Sequence, residues 1–351
     1  MSTRAVSGAV AAKVVAWQQV HGRNSLAWQN TQDPYRVWLS EIMLQQTQVA
    51  TVLGYFDRFL TAMPTVQHLA AASLDEVLGL WSGLGYYSRA RNLHRCAQAV
   101  VDLHGGVFPR SAEILVTLPG IGRSTAAAIS SLCFGERVAI LDANVKRVVT
   151  RVTGFEGDLA QAAQERLLWE AATDLLPAAK VAPRTMARYT QGMMDLGAAV
   201  CLPKKPACLL CPLNGDCRAH AKGDPERYPV RTRKLKRSSQ SIWLLWAQAP
   251  DGAVWLAPRP TPGVWAGLQC FPLFESEAAL RSALAPGHQA ALQAEPTFVH
   301  VLTHKDLHLH PWRLEWPAGA DLGALPGRWV GAAQWPALGL PAPIRKLLER
   351  G

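Results

Sequence analysis

SAEILVTLPGIGRSTAAAISSLCFG, residues 111–135, decides the architecture of the first two thirds of this chain. Ser111 is a ready N-cap for a short helix. Pro119 and Gly120 end that helix, and Gly122 precedes a second one that runs out at Gly135. The connecting LPGIG leaves the first backbone N–H groups of the second helix without intrahelical partners. Glycines at 120 and 122 let a phosphate approach, and the helix dipole favours its negative charge. Alone, such a turn is an ordinary helical hairpin. In a basic chain it reads as a helix–hairpin–helix DNA clamp.

The surroundings are helical too. Over residues 9–200 apolar positions recur at spacings of three and four, with breaks at Pro64, Gly83/Gly85, Gly105/Gly106 and Gly154. An all-α domain is expected. The N-terminal MSTRAVSGAVAAKVVAWQQV places Val10, Val14 and Trp17 on one face and Lys13 inside the run. It reads as an amphipathic helix and not a signal peptide. No apolar run is long enough to span a membrane. A cytoplasmic, nucleoid-associated bacterial monomer is expected.

The formal net charge is +10 over 351 residues. A surplus of this size points to a polyanion, most simply nucleic acid. Half of it lies in KGDPERYPVRTRKLKR, residues 222–237, with seven Lys/Arg against two acids. Two prolines and few large apolar residues make this stretch a linker and a domain boundary.

Four of the seven cysteines fall in CLPKKPACLLCPLNGDC, residues 201–217, spaced C-x6-C-x2-C-x5-C. Disulfides would need an oxidising compartment. The C-x2-C pair matches half of a zinc knuckle, but no second close pair follows. Uneven spacing suits a [4Fe–4S] cluster reached by one irregular loop. Spacing favours iron–sulfur and leaves zinc open. Pro203, Pro206 and Pro212 rule out a continuous helix, and Lys204, Lys205 and Arg218 stand beside the loop as candidate phosphate contacts. Cys96, Cys133 and Cys270 have apolar or small neighbours and read as inert core thiols.

Two carboxylates carry candidate chemistry. Asp142, in RVAILDANVKRVVTRVTGF, is the expected N-cap of a helix ending near Gly154. One oxygen can cap while the other faces a substrate. Glu41, in DPYRVWLSEIMLQQTQVATVLGYFDRFL, lies on a helix capped by Asp33 with Pro34 at its first position. Its neighbours Val37, Trp38, Ile42 and Leu44 are apolar. Burial there raises a carboxyl pKa and makes Glu41 a candidate general acid near neutrality. Lys146 lies one turn beyond Asp142 on the same helix.

Taken in order, WLSEIMLQQTQVATV, WSGLGYYSRARNL, LPGIGRSTAAAI, LDANVKRV and the cysteine loop resemble the adenine DNA glycosylase (MutY) family of the helix–hairpin–helix superfamily. The resemblance covers about residues 25–217. It implies a [4Fe–4S] cluster on Cys201, Cys208, Cys211 and Cys217, and a base-excision-repair hydrolase. The implied substrate is double-stranded DNA with adenine opposite 8-oxoguanine or guanine. By motif, Glu41 protonates the adenine, Asp142 stabilises the cationic sugar and Asn144 orients it or the water. Ser124 stands where some members have tyrosine. Gln46 and Tyr86, with Leu84 nearby, wedge into the duplex, and Trp28 and Gln191 line an adenine pocket. Gly120, Gly122 and Lys146 are expected against DNA. The alternatives are an endonuclease III-like pyrimidine glycosylase and lyase, or a non-catalytic iron–sulfur DNA-binding protein. Endonuclease III carries a lysine nucleophile at the position of Ser124 and lacks a glutamate at the position of Glu41, so both residues favour the hydrolytic enzyme.

Beyond the linker the pattern changes. SIWLLWAQAPDGAVWLAPRP reads as a β-hairpin, apolar and polar in alternation around Pro-Asp-Gly. Eight of the thirteen tryptophans lie beyond residue 240. GVWAGLQCFP resembles the C-terminal MutT-like domain of the same family, which recognises 8-oxoguanine. HVLTHKDLHLHPW aligns with the recognition loop, where Thr303 and His304 are the expected contacts and Leu302 replaces an aromatic. His300, His304, His308 and His310 read as DNA contacts or surface more readily than as metal ligands. The whole is expected to be an α + β two-domain chain. Residues 1–225 form the helical catalytic domain, 226–240 the basic linker and 241–351 the smaller MutT-like α/β domain.

Overall fold

A computed structural model of the chain describes residues 3–232, 236–317, 322 and 325–350. Arg233, Lys234 and Leu235 of the expected linker lie outside the described residues. The helical part comprises α1 (Thr3–His21), α2 (Pro34–Leu44), α3 (Val49–Ala62), α4 (Val66–Ala71), α5 (Leu74–Leu80), α6 (Ser88–His104), α7 (Ala112–Leu115), α8 (Arg123–Phe134), α9 (Ala143–Thr153), α10 (Ala162–Asp174), α11 (Pro183–Ala199) and α12 (Arg218–Ala221). The later part holds β1 (Ser238–Gln248), β2 (Val254–Pro258), β3 (Gln269–Cys270), β4 (Leu273–Phe274), β5 (Gln293–Ala294), β6 (Phe298–Val301), β7 (Lys305–Glu315) and β8 (Arg328–Val330), with helices α13 (Glu277–Ser282), α14 (Pro286–Gln289) and α15 (Ala342–Leu348).

Contacts divide the chain into two compact units. One is Met1–Gln48, Thr65–Gln67 and Arg95–Lys234; the other is Val49–Pro64, His68–His94 and Leu235–Gly351. The second unit therefore joins α3, α5 and the turn before α6 to the sheet, a grouping with no signal along the chain.

The first unit is held by an apolar core to which α1, α8, α9, α10 and α11 all contribute. Val10 and Val14 of α1, Val145, Val148 and Val149 of α9, and Met186, Met193 and Leu196 of α11 meet there. The helix punctuation follows the expected chemistry. Asp33 caps α2 ahead of Pro34, Ser111 caps α7 and Asp142 caps α9. Gly135 and Gly154 close α8 and α9 at φ 70° and 63°, where a side chain would be strained. Helix α1 forms over the N-terminal stretch read as an amphipathic helix.

In the second unit β1 and β7 run parallel over eleven residue pairs, from Ser238↔Lys305 to Gln248↔Glu315. The strand order is β3-β2-β1-β7-β5, with β4 also on β1, β6 on β7 and β8 on β2. The expected hairpin forms: Ala249 N donates to Ala253 O at 2.8 Å, antiparallel β1 and β2 on either side. One feature departs from the expected alternation. Residues 242–247 are apolar on both faces, because both faces are covered. Ile242, Leu244 and Trp246 join Leu307, Leu309, Ile344 and Leu347 on one side, whereas Leu245 and Ala247 join Leu280, Leu314 and Trp316 on the other. Strand β1 also begins inside the stretch read as linker, at Ser238. Residues 275–295 hold the short helices α13 and α14.

Candidate active site and DNA interface

Glu41 sits on α2 among the buried Val37, Trp38, Leu39, Ser40, Ile42 and Met43. The carboxyl keeps partial contact with solvent, but the protein packed around it pushes its pKa up to about 7. Burial is the larger cause, and the nearby charge of Asp142 adds to it. The two acids are therefore close enough to feel one another. Asp142 caps α9 by accepting from Val145 N at 2.7 Å. Burial raises its pKa as well, opposed by the amides of Val145 and Asn144 and by the charges of Arg147 and Lys146. The environments thus separate the pair: hydrogen bonds and cations favour the carboxylate at 142, whereas no such opposing contribution acts on Glu41.

The hairpin and the acids are joined directly. Ser124, in the first turn of α8, accepts from Leu141 N at 3.1 Å through its Oγ. That bond ties the hairpin to the residue preceding Asp142, while the Ser124 hydroxyl proton stays available to donate. Gly120 has φ 75°, which requires glycine in this turn. Gly122 caps α8 without a side-chain hydrogen bond, and a Cβ there would meet nothing within 4 Å. No side chain at position 122 caps or covers the first turn of α8, the arrangement that suits an anion.

Asn144 is held from two sides. Its Oδ1 accepts from Arg147 Nη2 at 2.8 Å, and Gly197 of α11 passes so close that a Cβ would stand 2.7 Å from Asn144 Cβ. Arg147 continues to Gly197 O and Cys201 O, each at 2.6 Å. Arg151, one turn further along α9 and buried, donates to Cys201 Sγ at 3.3 Å, Leu202 O at 2.6 Å and Pro203 O at 3.1 Å. Helix α9 therefore begins at a candidate catalytic acid and ends stitched to the cysteine loop. Cys201, Cys208, Cys211 and Cys217 line one small cavity with Arg151 and His220. Burial, and after it the neighbouring thiols, pushes Cys211 up to about 11. Among the described residues no group of three or more His, Cys, Asp or Glu side chains is placed to hold a metal ion. The donor chemistry at this cavity, four thiols with the Arg151 guanidinium beside Cys201, is of the kind that fits a thiolate-bound cluster. Lys204 and Lys205 are exposed beside this loop, while Arg218 donates to Thr153 O at 3.3 Å. Cys96, Cys133 and Cys270 are buried.

Trp28 and Gln191 line one cavity of about 440 Å³, together with Val37 one turn before Glu41. Glu41 and Asp142 do not line it. The sequence reading missed Asp195, a fully buried aspartate on α11. Its Oδ1 accepts from Arg23 Nε at 2.7 Å and Gln191 Nε2 at 3.0 Å, and its Oδ2 from Arg23 N at 3.1 Å. It orients Gln191 into the cavity wall. An acid inside the apolar run MMDLGAAV was the available signal, the same one that marked Glu41. Arg147 and Arg151 were missed for a different reason: they look like solvated helix charges.

Gln46 is exposed and Tyr86 is 42% exposed, and both hold left-handed backbone at φ 58° and 48°. Strain of this kind collects at functional positions. Leu84, expected near them, is buried between Gly83 and Gly85. The Tyr86 hydroxyl hydrogen-bonds Thr303 Oγ1, so two candidate DNA contacts from distant parts of the chain meet within the second unit. His304 is exposed next to them. Lys146 is paired with Glu165 at 2.5 Å. His310 stacks on Trp243 with ring centroids 4.4 Å apart.

A hairpin before a capped aspartate, with a paired glutamate and a cysteine loop behind, defines a class. Residues 39–173 match the family described as HhH-GPD superfamily base excision DNA repair protein, and residues 243–350 match the NUDIX domain family. The chain belongs to the adenine DNA glycosylase family. It is 35% identical over 340 residues, 96% of this chain and 95% of its relative, to the adenine DNA glycosylase of Buchnera aphidicola subsp. Acyrthosiphon pisum. The human adenine DNA glycosylase is 46% identical over 194 residues, covering 55% of this chain and 35% of the human one. Among solved structures, a thermostable thymine-DNA glycosylase superposes with TM-score 0.55 at 28% identity, over 63% of this chain and all of that one. An endonuclease III–DNA complex has the same fold, with TM-score 0.51 at 22% identity, over 64% and 98%. The chain is a DNA glycosylase of base excision repair. No helix among the described residues is long and apolar enough to cross a membrane.

Proposed function

We propose that the chain hydrolyses the N-glycosidic bond of adenine mispaired with 8-oxoguanine or guanine in duplex DNA. The observation that carries this reading is the Glu41 carboxyl, raised to about 7 beside the charge of Asp142. Cleaving the bond places negative charge on the leaving base and positive charge on the sugar. Two carboxyls in different protonation states answer both needs. Glu41, protonated, donates to N7 of the adenine. Asp142, ionised, stabilises the oxocarbenium ion and the departure of the base. Asn144, fixed by Arg147, orients Asp142 or the attacking water. Ser124 keeps the hairpin in register with Asp142 and offers a hydroxyl to the intermediate.

The adenine must leave the stack to reach these groups. Trp28 and Gln191, with Asp195 behind, receive it. Gly120, Gly122 and Lys146 hold the backbone of the same strand. Gln46 and Tyr86 enter the duplex, and Thr303 with His304 reads the opposing base. Cys201, Cys208, Cys211 and Cys217 would hold a [4Fe–4S] cluster, whose chemistry here is to bind four thiolates and fasten the loop that Arg147 and Arg151 support.

The test is a labelled duplex with adenine opposite 8-oxoguanine, incubated with the protein and then treated with alkali. Strand cleavage at the adenine, and none without alkali, is expected. Release of oxidised pyrimidines alone would replace the reading with an endonuclease III-like one.

A further inference from the structure

Among the described residues four non-glycine positions have left-handed backbone, and two of them, Tyr86 and Trp265, line one cavity of about 540 Å³. A bulky aromatic in that conformation persists only where its surroundings over-determine it. Around Trp265 (φ 58°) they do. Gly263 and Gly267 flank it at φ 151° and 74°, angles that need glycine. Gly267 N donates to Arg259 O and Leu268 N to Trp265 O, each at 3.0 Å, and Arg91 Nη1 donates to Ala266 O at 2.5 Å. The turn is thereby locked, with Trp265 half-buried on the cavity wall. The His300 ring stands 6.1 Å from the indole, tilted by 48°.

The same cavity is lined by Leu84, Tyr86, Thr303 and His304. Thr303 supplies a hydroxyl, already hydrogen-bonded to Tyr86. Leu302 next to it supplies no flat face. A purine is recognised by a planar apolar surface together with polar groups at its edge. The loop has the second and Trp265 has the first.

We infer that Trp265 is a specificity-determining residue, the stacking face against which the oxidised purine opposite the adenine is read while Thr303 meets its edge. This rests on the reaction proposed above. A tryptophan that only filled the core would affect adenine release alike for every opposing base.

The experiment compares single-turnover adenine release from duplexes with adenine opposite 8-oxoguanine and opposite guanine. Trp265→Leu keeps apolar bulk and is expected to lower the ratio of the two rate constants roughly tenfold, the scale of one lost base–aromatic stack. Trp265→Phe is expected to keep most of the ratio. An unchanged ratio in Trp265→Leu overturns the assignment. Should that variant not fold, full-length protein carrying fluorotryptophan decides the matter, with the Trp265 fluorine resonance assigned from Trp265→Phe. The probe is a duplex with a tetrahydrofuran abasic analogue opposite 8-oxoguanine, and its counterpart opposite guanine. A larger displacement by the 8-oxoguanine duplex supports the inference, and identical displacements overturn it. Failure of the unmodified protein to release adenine from either duplex would instead overturn the reaction, and Trp265's role with it.

Discussion

Arg151 Nη1 donates to Cys201 Sγ at 3.3 Å, while Cys217 Sγ donates to Arg151 O at the same distance. One buried residue of α9 thus holds the first and last cysteines of the loop, on the helix whose other end is capped by Asp142. The same guanidinium also serves three carbonyls, of Leu202, Pro203 and Tyr228.

Arg151→Met keeps an unbranched apolar stem and removes the bonds that the guanidinium makes. Stranding several buried acceptors costs about 3 kcal/mol or more. The variant should unfold at lower temperature and retain less iron and sulfide per chain on purification. Wild-type iron content together with wild-type thermal stability would show that Arg151 does not secure the loop.

Glu41→Gln removes the acid and keeps the shape. Adenine release should fall by about two to four orders of magnitude, the range for a general acid, with binding of the mispaired duplex retained. Turnover near the wild-type rate would place the acid elsewhere.

The Glu41 pKa also sets a pH dependence. Because the folded value, about 7, lies above the ordinary 4.5, the folded chain holds the proton more tightly than the unfolded one. That contribution to stability is fully present below about pH 4.5 and is lost as pH rises through about 7, an effect on the order of 3 kcal/mol. Glu41→Gln should therefore narrow the gap in unfolding midpoint between acid and alkaline buffers. The single-turnover rate of the wild type should fall on the alkaline side of about pH 7 as the acid deprotonates. A rate that rises through that range would give Glu41 the role of a base.

Gly197→Ala tests the seat of Asn144. A methyl group there would lie 2.7 Å from Asn144 Cβ and 2.9 Å from its carbonyl oxygen, so α9 or α11 must shift. Overpacking of this kind costs roughly 1–3 kcal/mol. The rate of adenine release should drop at least tenfold in protein that still binds DNA. An unaffected rate would mean that the close approach does not position Asn144.

Lys146→Ala separates hydrolysis from incidental lyase chemistry. Lys146 is engaged with Glu165 in this state. Any borohydride-trapped adduct should disappear in the variant, while adenine release persists within about tenfold. Loss of both would make Lys146 a nucleophile and undo the monofunctional reading.

What the chain disclosed on its own was carried by neighbours a few residues apart. Caps at Asp33, Ser111 and Asp142, glycine stops at Gly135 and Gly154, the LPGIG turn and the cysteine spacing are all local. Each depends on backbone geometry within one or two turns, so each was legible before folding. The buried setting of Glu41 was legible for the same reason, since its apolar neighbours are on its own helix. The pairings were not. Nothing along the sequence joins Tyr86 to Thr303, Arg151 to Cys201, or Asp195 to Arg23, because those bonds exist only once distant segments are packed against each other. Asp142's influence on the Glu41 proton is of this kind as well: charge acts through space, and only the folded chain determines which charges are near.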